Sequence, residues 1–406
     1  MPKKQTKKTA KYNIAAFFSG VGGIELGFEQ TGKFHTVYAN EFDANARTTY
    51  ALNYPDTFLD PRDIHEVSPD EIGEQVDLVV GGFPCQAFSI AGYRKGFEDE
   101  RGDLFFELLR MVIARRPKAV FVENVKNMVI HDHGNTFKVI REALTINGYY
   151  IKWKVLNGKD HGNIPQNRER IYIVGFRDKQ AFDAFQFPES VDLTTKLDDV
   201  IDFHIAEKAK YYYTSDKQRF YRELADTITS QETVYQWRRQ YVRENKSGVV
   251  PTLTANMGMG GHNVPLILSD TGIRKLTPRE TFNVQGFPKD FKLPEITDSH
   301  LYKQAGNSVV VPVIKRIAEN IALALDIAGD SQRNQDIMDG PYAVTYTVLH
   351  GKFEGESYVV DLASTYQEAE EKAHQLRENI PLLSDEEYLA LIKKRASLEF
   401  YSIVQE

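Results

Sequence analysis

The chain holds one cysteine in 406 residues, and it stands in Gly81-Gly82-Phe83-Pro84-Cys85-Gln86, directly after a proline. A thiol becomes a strong nucleophile once ionised, and its ordinary pKa of about 8.5 falls beside arginines or free N–H groups. A lone cysteine is most often a small buried apolar residue, but these glycines, the rigid Pro84 and Gln86 describe a turn. Glu123, in Val122-Glu123-Asn124-Val125, ends another apolar run, where a carboxylate costs desolvation energy unless it is paired or used. Arg168 and Arg170, in Gln166-Asn-Arg-Glu-Arg-Ile-Tyr172, supply cations for it. An ordinary ion pair would account for these three residues, and the company of Cys85 favours a shared site.

These residues need elements to hold them. Residues 13–20 form a short apolar run that ends in glycines and passes into an amphipathic stretch closed by Gly32, which reads as strand, tight turn and helix. Further strands are predicted at Thr36 to Asn40, Val76 to Val80, Ala119 to Glu123 and Ile171 to Phe176, with a helix at Asp103 to Ala114. Apolar strands alternating with helices predict an α/β fold, a doubly wound, mostly parallel sheet whose strand carboxyl ends carry the chemistry. The turn Phe18-Ser-Gly20-Val-Gly22-Gly23 offers N–H groups to an anion. Glu41, at the end of the next strand, stands where an adenosine-binding fold keeps a carboxylate for the ribose hydroxyls; Asp63 reads either as an acceptor for an adenine amino group or, the commoner role for such an aspartate, as a helix cap.

Between about 180 and 270 the periodicity fades and Tyr, Thr, Gly and Asn become frequent, which predicts a separate irregular domain over 181–273. Residues 12–180 and 274–328 then form the main domain. The tail, 331–406, reads as a small α+β appendage with strands at Tyr342 to Leu349, Ser357 to Leu362 and Leu398 to Val404, a helix at Tyr366 to Ile380, and a capping box at Ser384 and Glu387.

The net charge of −7 argues against a nucleic-acid binder until it is divided: seven Lys and Arg stand against fourteen Asp and Glu in 331–406 alone. Residues 205–280 hold twelve basic and eight acidic groups, with Arg238, Arg239, Arg243 and Lys246 close together, a surface suited to phosphates, although on charge alone a cluster of this size is more often a solvated face. Residues 1–11 read as a disordered basic arm. A single cysteine excludes an intramolecular disulfide, and the absence of an apolar leader or span leads to the expectation of a reducing cytoplasm and no membrane.

Taken in order, Phe18-x-Gly20-x-Gly22-Gly23, Pro84-Cys85-Gln86, Glu123-Asn124-Val125, Gln166-x-Arg168-x-Arg170, Arg274-Lys-Leu-Thr-Pro-Arg279-Glu280 and Gln304-Ala-Gly306-Asn307-Ser308-Val309 resemble the DNA cytosine C5 methyltransferases of bacterial restriction-modification systems, over roughly residues 12–325. The resemblance implies S-adenosylmethionine as cofactor, S-adenosylhomocysteine as product, and a target-recognition domain between the arginine motif and Arg274. It implies Cys85 as the nucleophile toward C6 of a flipped-out cytosine, Glu123 on N3 and the exocyclic amine, and Arg168 and Arg170 on O2, a nearby phosphate or the Cys85 turn. Phe18, Gly20, Gly23, Ile24, Glu41, Phe42, Asp63, Ile64, Pro84, Leu104, Asn307 and Val309 are implied to surround the cofactor. Residues 89–102 resemble the family's closing loop. Gln86, Ser89, Arg94, Lys95, Arg101, Arg238, Arg239, Arg243, Thr252 and Leu253 are the residues expected to meet DNA.

The chain departs from the family's pattern at Ala16, where many relatives have aspartate, and at Ala91, where some have a serine that fills the gap left by the base; gap filling then passes to the recognition domain. The stretch 252–265 resembles relatives acting on C- and G-rich sites such as CCGG or CCNGG. The expected partners are double-stranded DNA, a cognate restriction endonuclease sharing the site and an unidentified partner for the tail, with the enzyme a monomer and no metal. Methylation of cytosine in tRNA, a catalytically idle DNA-binding relative and a nicotinamide oxidoreductase are the competing readings; the last leaves Cys85, Glu123 and the arginines without a common purpose.

Overall fold

The computed structural model describes residues 12–73, 75–83, 104–238, 240–258, 264–332, 342–347, 357–363 and 402–403. The basic arm, the 89–102 segment and the tail helix expected at 366–380 lie outside these residues.

The main sheet contains β1 (Tyr12–Phe17), β2 (Phe34–Asn40), β3 (Phe58–Asp60), β4 (Leu78–Gly81), β5 (Ala119–Val125), β6 (Tyr150–Asn157) and β8 (Glu169–Phe176), while β7 is the two-residue Gln166–Asn167. Its strand order is β3-β2-β1-β4-β5-β8-β6. The first five strands pair in parallel, and β8 runs antiparallel to both β5 and β6. The expectation of a mostly parallel sheet holds, although its last strand is reversed. Strand β6 escaped the sequence reading because it is an edge strand, where Lys152 and Lys154 interrupt the apolar pattern.

Alternation along β1 divides the core. Ile14 and Ala16 face the side covered by α1 (Gly23–Glu29) and the long helix near the C-terminus, whereas Ala15 and Phe17 face α3 (Leu104–Arg115) and α4 (Asn135–Ile146). Helix α2 (Ala44–Asn53) follows β2 and starts at Asp43, whose carboxylate accepts from the N–H groups of Asn45 and Ala46. Both layers leave the carboxyl ends of β1, β2, β4 and β5 on one edge.

The second region has more regular structure than expected. Strands β9 (Tyr235–Trp237), β10 (Val242–Glu244), β12 (Leu266–Ser269) and β13 (Gly272–Lys275) form a sheet in the order β10-β9-β12-β13, and β11 (Val250–Pro251) pairs instead with β7 of the main domain. Three- and four-residue strands are too short to print a period of two on the sequence. Leu224, Ile228, Tyr235, Trp237, Leu266 and Ile273 make its own core, with Phe220 stacked on Trp237 at 4.5 Å. The expected boundary at 181 comes too early, because Ala181, Phe185, Phe187, Leu197, Val200, Ile201 and Phe203 all enter the large core. Helix α5 (Lys179–Ala184) packs against helix α8 (Val311–Gln332), whose Asn320 donates to the Gln186 carbonyl at 2.8 Å, while the Phe203 carbonyl accepts from Asp270 N–H beside the small sheet.

Arg274 lies on β13 of the small sheet, opposite Ile267, and links that sheet to the helix that follows. Its guanidinium is fully buried and forms a two-bond fork with Glu280, at 2.8 and 2.7 Å, and Glu280 also accepts from the N–H groups of Asp202 and Thr277. Glu280 completes a capping box with Thr277 on α6 (Pro278–Asn283), so one carboxylate ends the small sheet and starts the next helix. Helix α7 (Asp298–Asn307) then leads to α8. In the tail, β14 (Tyr342–Thr347), β15 (Ser357–Ala363) and β16 (Ser402–Ile403) form an antiparallel sheet in the order β15-β14-β16, at the three places where strands are expected. Among the described residues, no helix is long and apolar enough to cross a membrane, and no cluster of His, Cys, Asp and Glu is arranged to hold a metal.

Removing one member of a buried ion pair leaves the other charge uncompensated, at a cost of about 3–5 kcal/mol. We therefore expect Glu280→Ala to lower unfolding stability by about that amount in urea titration; a loss within about 0.5 kcal/mol, the size of a surface change, would contradict the role given to the pair.

Candidate active site

The edge formed by the strand ends opens into a cleft of about 440 Å³. Its floor is the turn after β1. Phe18 sits at φ 55° and Gly20 at φ 57°, the left-handed region that side-chain-bearing residues seldom enter, so Phe18 is held there by its surroundings. Gly20 donates its N–H to Glu41 at 2.7 Å, and the other carboxylate oxygen accepts from Asp43 N–H at 2.7 Å. Burial raises the pKa of Glu41, and these two bonds oppose the rise. Phe42 extends from the lip with 69% of its surface exposed. Asp63 caps a short 3-10 helix through His65 N–H while also lining the cleft with Ile64.

Gly23 begins α1 with no room for a side chain: a β-carbon there would lie 2.5 Å from Ser308 Oγ. This close approach brings Asn307, Ser308 and Val309 to the wall opposite Phe18. Lys303 joins Asp43 at 2.7 Å, and Gln304 accepts from Thr49 at 2.7 Å, fixing α7 against α2. Every described residue implied to surround the cofactor lines this one cleft: Phe18, Gly20, Gly23, Ile24, Glu41, Phe42, Asp63, Ile64, Leu104, Asn307 and Val309. The sequence reading missed Ser19, Asp43, Lys303 and Gln304, although Gln304 stood in a quoted motif.

The far wall comes from β4 and β5. Glu123 lies within ion-pair distance of Arg170, 3.2 Å from Oε1 to Nε, and both side chains are nearly buried. Burial raises the pKa of Glu123, with Arg170 and then Arg168 lowering it. Asn124 donates to the carbonyl of Phe83 at 2.7 Å and so fixes the strand end from which the chain runs on to residue 84. Pro84, Cys85, Gln86, Ser89, Arg94, Lys95, Arg101 and Arg239 lie outside the described residues.

Two expectations change. Arg168, expected on O2, a nearby phosphate or the Cys85 turn, lines the cleft but is 3% exposed and donates to the carbonyls of Leu253 at 2.8 Å, Gly306 at 3.0 Å and Ser308. Both ends of its fork are committed to the backbone because the segment at Leu253 and the Gly306 to Ser308 turn present carbonyls to it. Leu253, expected to meet DNA, buries its side chain in the large core. Thr252 beside it does line a second cavity of about 210 Å³, with Val125, Lys126, Asn127, Asn167, Glu169 and Arg170. Arg238 and Arg243 are exposed on the β9–β10 hairpin.

Residues 12–323 match the model of the family described as C-5 cytosine-specific DNA methylase. The chain belongs to this family. Over 309 residues the methylase is 61% identical to the Type II methyltransferase M.Bsp6I of Bacillus sp. (strain RFL6), covering 76% of this chain and 98% of the relative. It is 38% identical to M.SsoII of Shigella sonnei over 332 residues, 80% of this chain and 84% of that one. It is a DNA cytosine-5 methyltransferase of the bacterial Type II kind. Among solved structures, a Spodoptera frugiperda DNMT2 mutant aligns with a TM-score of 0.59 at 19% identity, covering 76% of this chain and 99% of that chain. An E. coli prophage-encoded putative DNA modification methyltransferase aligns at 0.55 and 22%, covering 78% and 99%. These likenesses support the fold.

One buried acid beneath the methylase's glycine turn has no counterpart in the sequence reading. Glu25 is 1% exposed in the first turn of α1, and burial pushes its carboxyl up to about 7, with the Ser19 hydroxyl opposing. The folded state therefore holds a proton that the unfolded chain releases near 4.5, the ordinary value for a glutamate. Glu25 is fully accommodated below the unfolded value, and stability is lost as pH rises from there through 7, by on the order of 3 kcal/mol. Glu25→Gln should remove this component: the difference in unfolding free energy between variant and wild type should drift toward the variant between pH 4.5 and 8 and then level off. A difference that does not vary with pH would show that Glu25 does not titrate there.

Proposed function

We propose that the methylase transfers a methyl group from S-adenosylmethionine to C5 of a cytosine turned out of duplex DNA, through a transient bond between Cys85 and C6. The observation that carries this reading is that one cleft holds both the adenosine-type turn with Glu41 and the Glu123–Arg170 pair, while the chain leaves its wall at Phe83 for Cys85. The residues fit a nucleoside sulfonium cofactor: Glu41 is held with its carboxylate at the ribose position, the exposed Phe42 ring is free to lie on adenine, and Gly23 leaves the turn bare. When bound, S-adenosylmethionine supplies an electrophilic methyl group beside C5.

Cytosine C5 is a poor nucleophile. Addition of the Cys85 thiolate to C6 makes C5 enamine-like, so that it can take the methyl group. The C5 proton then leaves to a base, and elimination of Cys85 restores the ring as 5-methylcytosine. Glu123 holds N3 and the exocyclic amine; its raised pKa favours a carboxyl able to donate to N3 as charge develops there. Arg170 orients Glu123 and faces both cavities, which suits it to O2 or the adjoining phosphate. A cytosine inside a duplex is beyond reach of a strand-end thiol, so flipping is required. Asn127 and Thr252 around the smaller cavity suit a backbone phosphate, which would compete with Glu169 for Lys126, now paired with it at 2.9 Å; exposed Arg238 and Arg243 suit phosphates or guanine edges. The site is expected to be rich in C and G.

Cys85→Ser should abolish tritiated methyl transfer to duplex DNA while cofactor binding persists; unchanged turnover would sink the mechanism. Glu123→Gln should lower kcat by about 10²–10⁴-fold. Methylome sequencing of exposed DNA reads out the site, and activity on tRNA with none on any duplex would overturn the substrate.

A further inference from the structure

Arg168 has an arrangement that neither a ligand contact nor an ordinary ion pair explains. Among the described residues no carboxylate lies within ion-pair distance of it, and burial brings its guanidinium down to about 9. Its two terminal nitrogens donate to three carbonyls on two separate chain segments, while Nε finds no acceptor among the described residues. Leu253 belongs to the recognition segment and follows Thr252, which bonds the Asn167 carbonyl at 2.6 Å and lines the smaller cavity. Gly306 and Ser308 form the cofactor wall. The two segments also touch directly, because a β-carbon on Gly306 would overlap the backbone of Thr254.

A guanidinium is a rigid planar fork, so its acceptors keep a fixed relative geometry. If either segment withdraws, N–H groups of a buried cation lose their partners, which is costlier than moving both segments together. We propose that Arg168 is a positioning residue that couples the seating of the recognition segment on DNA to the shape of the cofactor wall, through one buried fork shared by Leu253 and the Gly306 to Ser308 turn. Binding at either place then strengthens binding at the other, as linkage requires. The inference rests on the cleft being the cofactor site.

The test measures the affinity of S-adenosylhomocysteine for the full chain with and without the duplex identified by methylome sequencing. The wild type should bind it about tenfold more tightly with the duplex present. Arg168→Met should bring that ratio close to one, and Arg168→Lys, which keeps the charge but loses the fork, should leave an intermediate ratio. An unchanged ratio in either folded variant, or a wild-type ratio of one, overturns the coupling while leaving the cleft's assignment intact. A wild type that binds neither ligand overturns both. Should both variants fail to fold, hydrogen exchange on the wild type decides: S-adenosylhomocysteine alone should slow exchange at 252–257 as well as at 304–309, and protection confined to 304–309 counts against the proposal.

Discussion

Two close approaches of bare backbone hold the site together. At Gly23 the start of α1 lies against Ser308, and at Gly306 the end of α7 lies against Thr254. At Gly306 a β-carbon would overlap the Thr254 backbone, and at Gly23 it would press on Ser308 Oγ, Phe287 and Val309. These contacts set the segment at Thr254 against the C-terminal return of the chain, and that return against the helix after β1, although the three are far apart in sequence. Asn307 and Val309 thereby join Phe18 in lining one cleft.

Around this seam the protein buries charge in two ways. Arg274 meets a carboxylate, Glu280, which also accepts from two backbone N–H groups, so the charges are paired and the small sheet is joined to the helix that follows, although Arg274 Nε finds no acceptor among the described residues. Arg168 meets only carbonyl dipoles and keeps its full charge inside the protein. That charge adds to the field of Arg170 at Glu123 and opposes the effect of burial there. The Glu123 carboxyl thus has its ionisation set by burial on one side and two guanidiniums on the other.

Much of the site was legible in the sequence because its parts stand at strand ends, and strand ends show themselves as apolar runs stopped by glycine or by a charged residue. Phe18, Gly20, Glu41, Glu123 and Arg170 were each found that way, and the structure gathers them in one cleft. The roles of Arg168 and Leu253 were not legible. Arg168 lines the cleft and Leu253 follows a residue of the smaller cavity, and nothing in residue type tells an arginine aimed at a ligand from one whose donors are spent on carbonyls. The short strands of the second region were hidden for another reason, since three residues cannot establish a period.

Local pattern therefore determined the elements, their alternation and the list of chemically capable residues, because periodicity and turn chemistry act over a few positions at a time. Only the tertiary structure decided which donors are spent inside the protein and which remain for a ligand. It also reversed β8 and placed residues 181–203 with the large core. Those outcomes depend on which carbonyl, aromatic ring or strand edge arrives from elsewhere in the chain, and that is settled by packing over long separations, which no local spacing records.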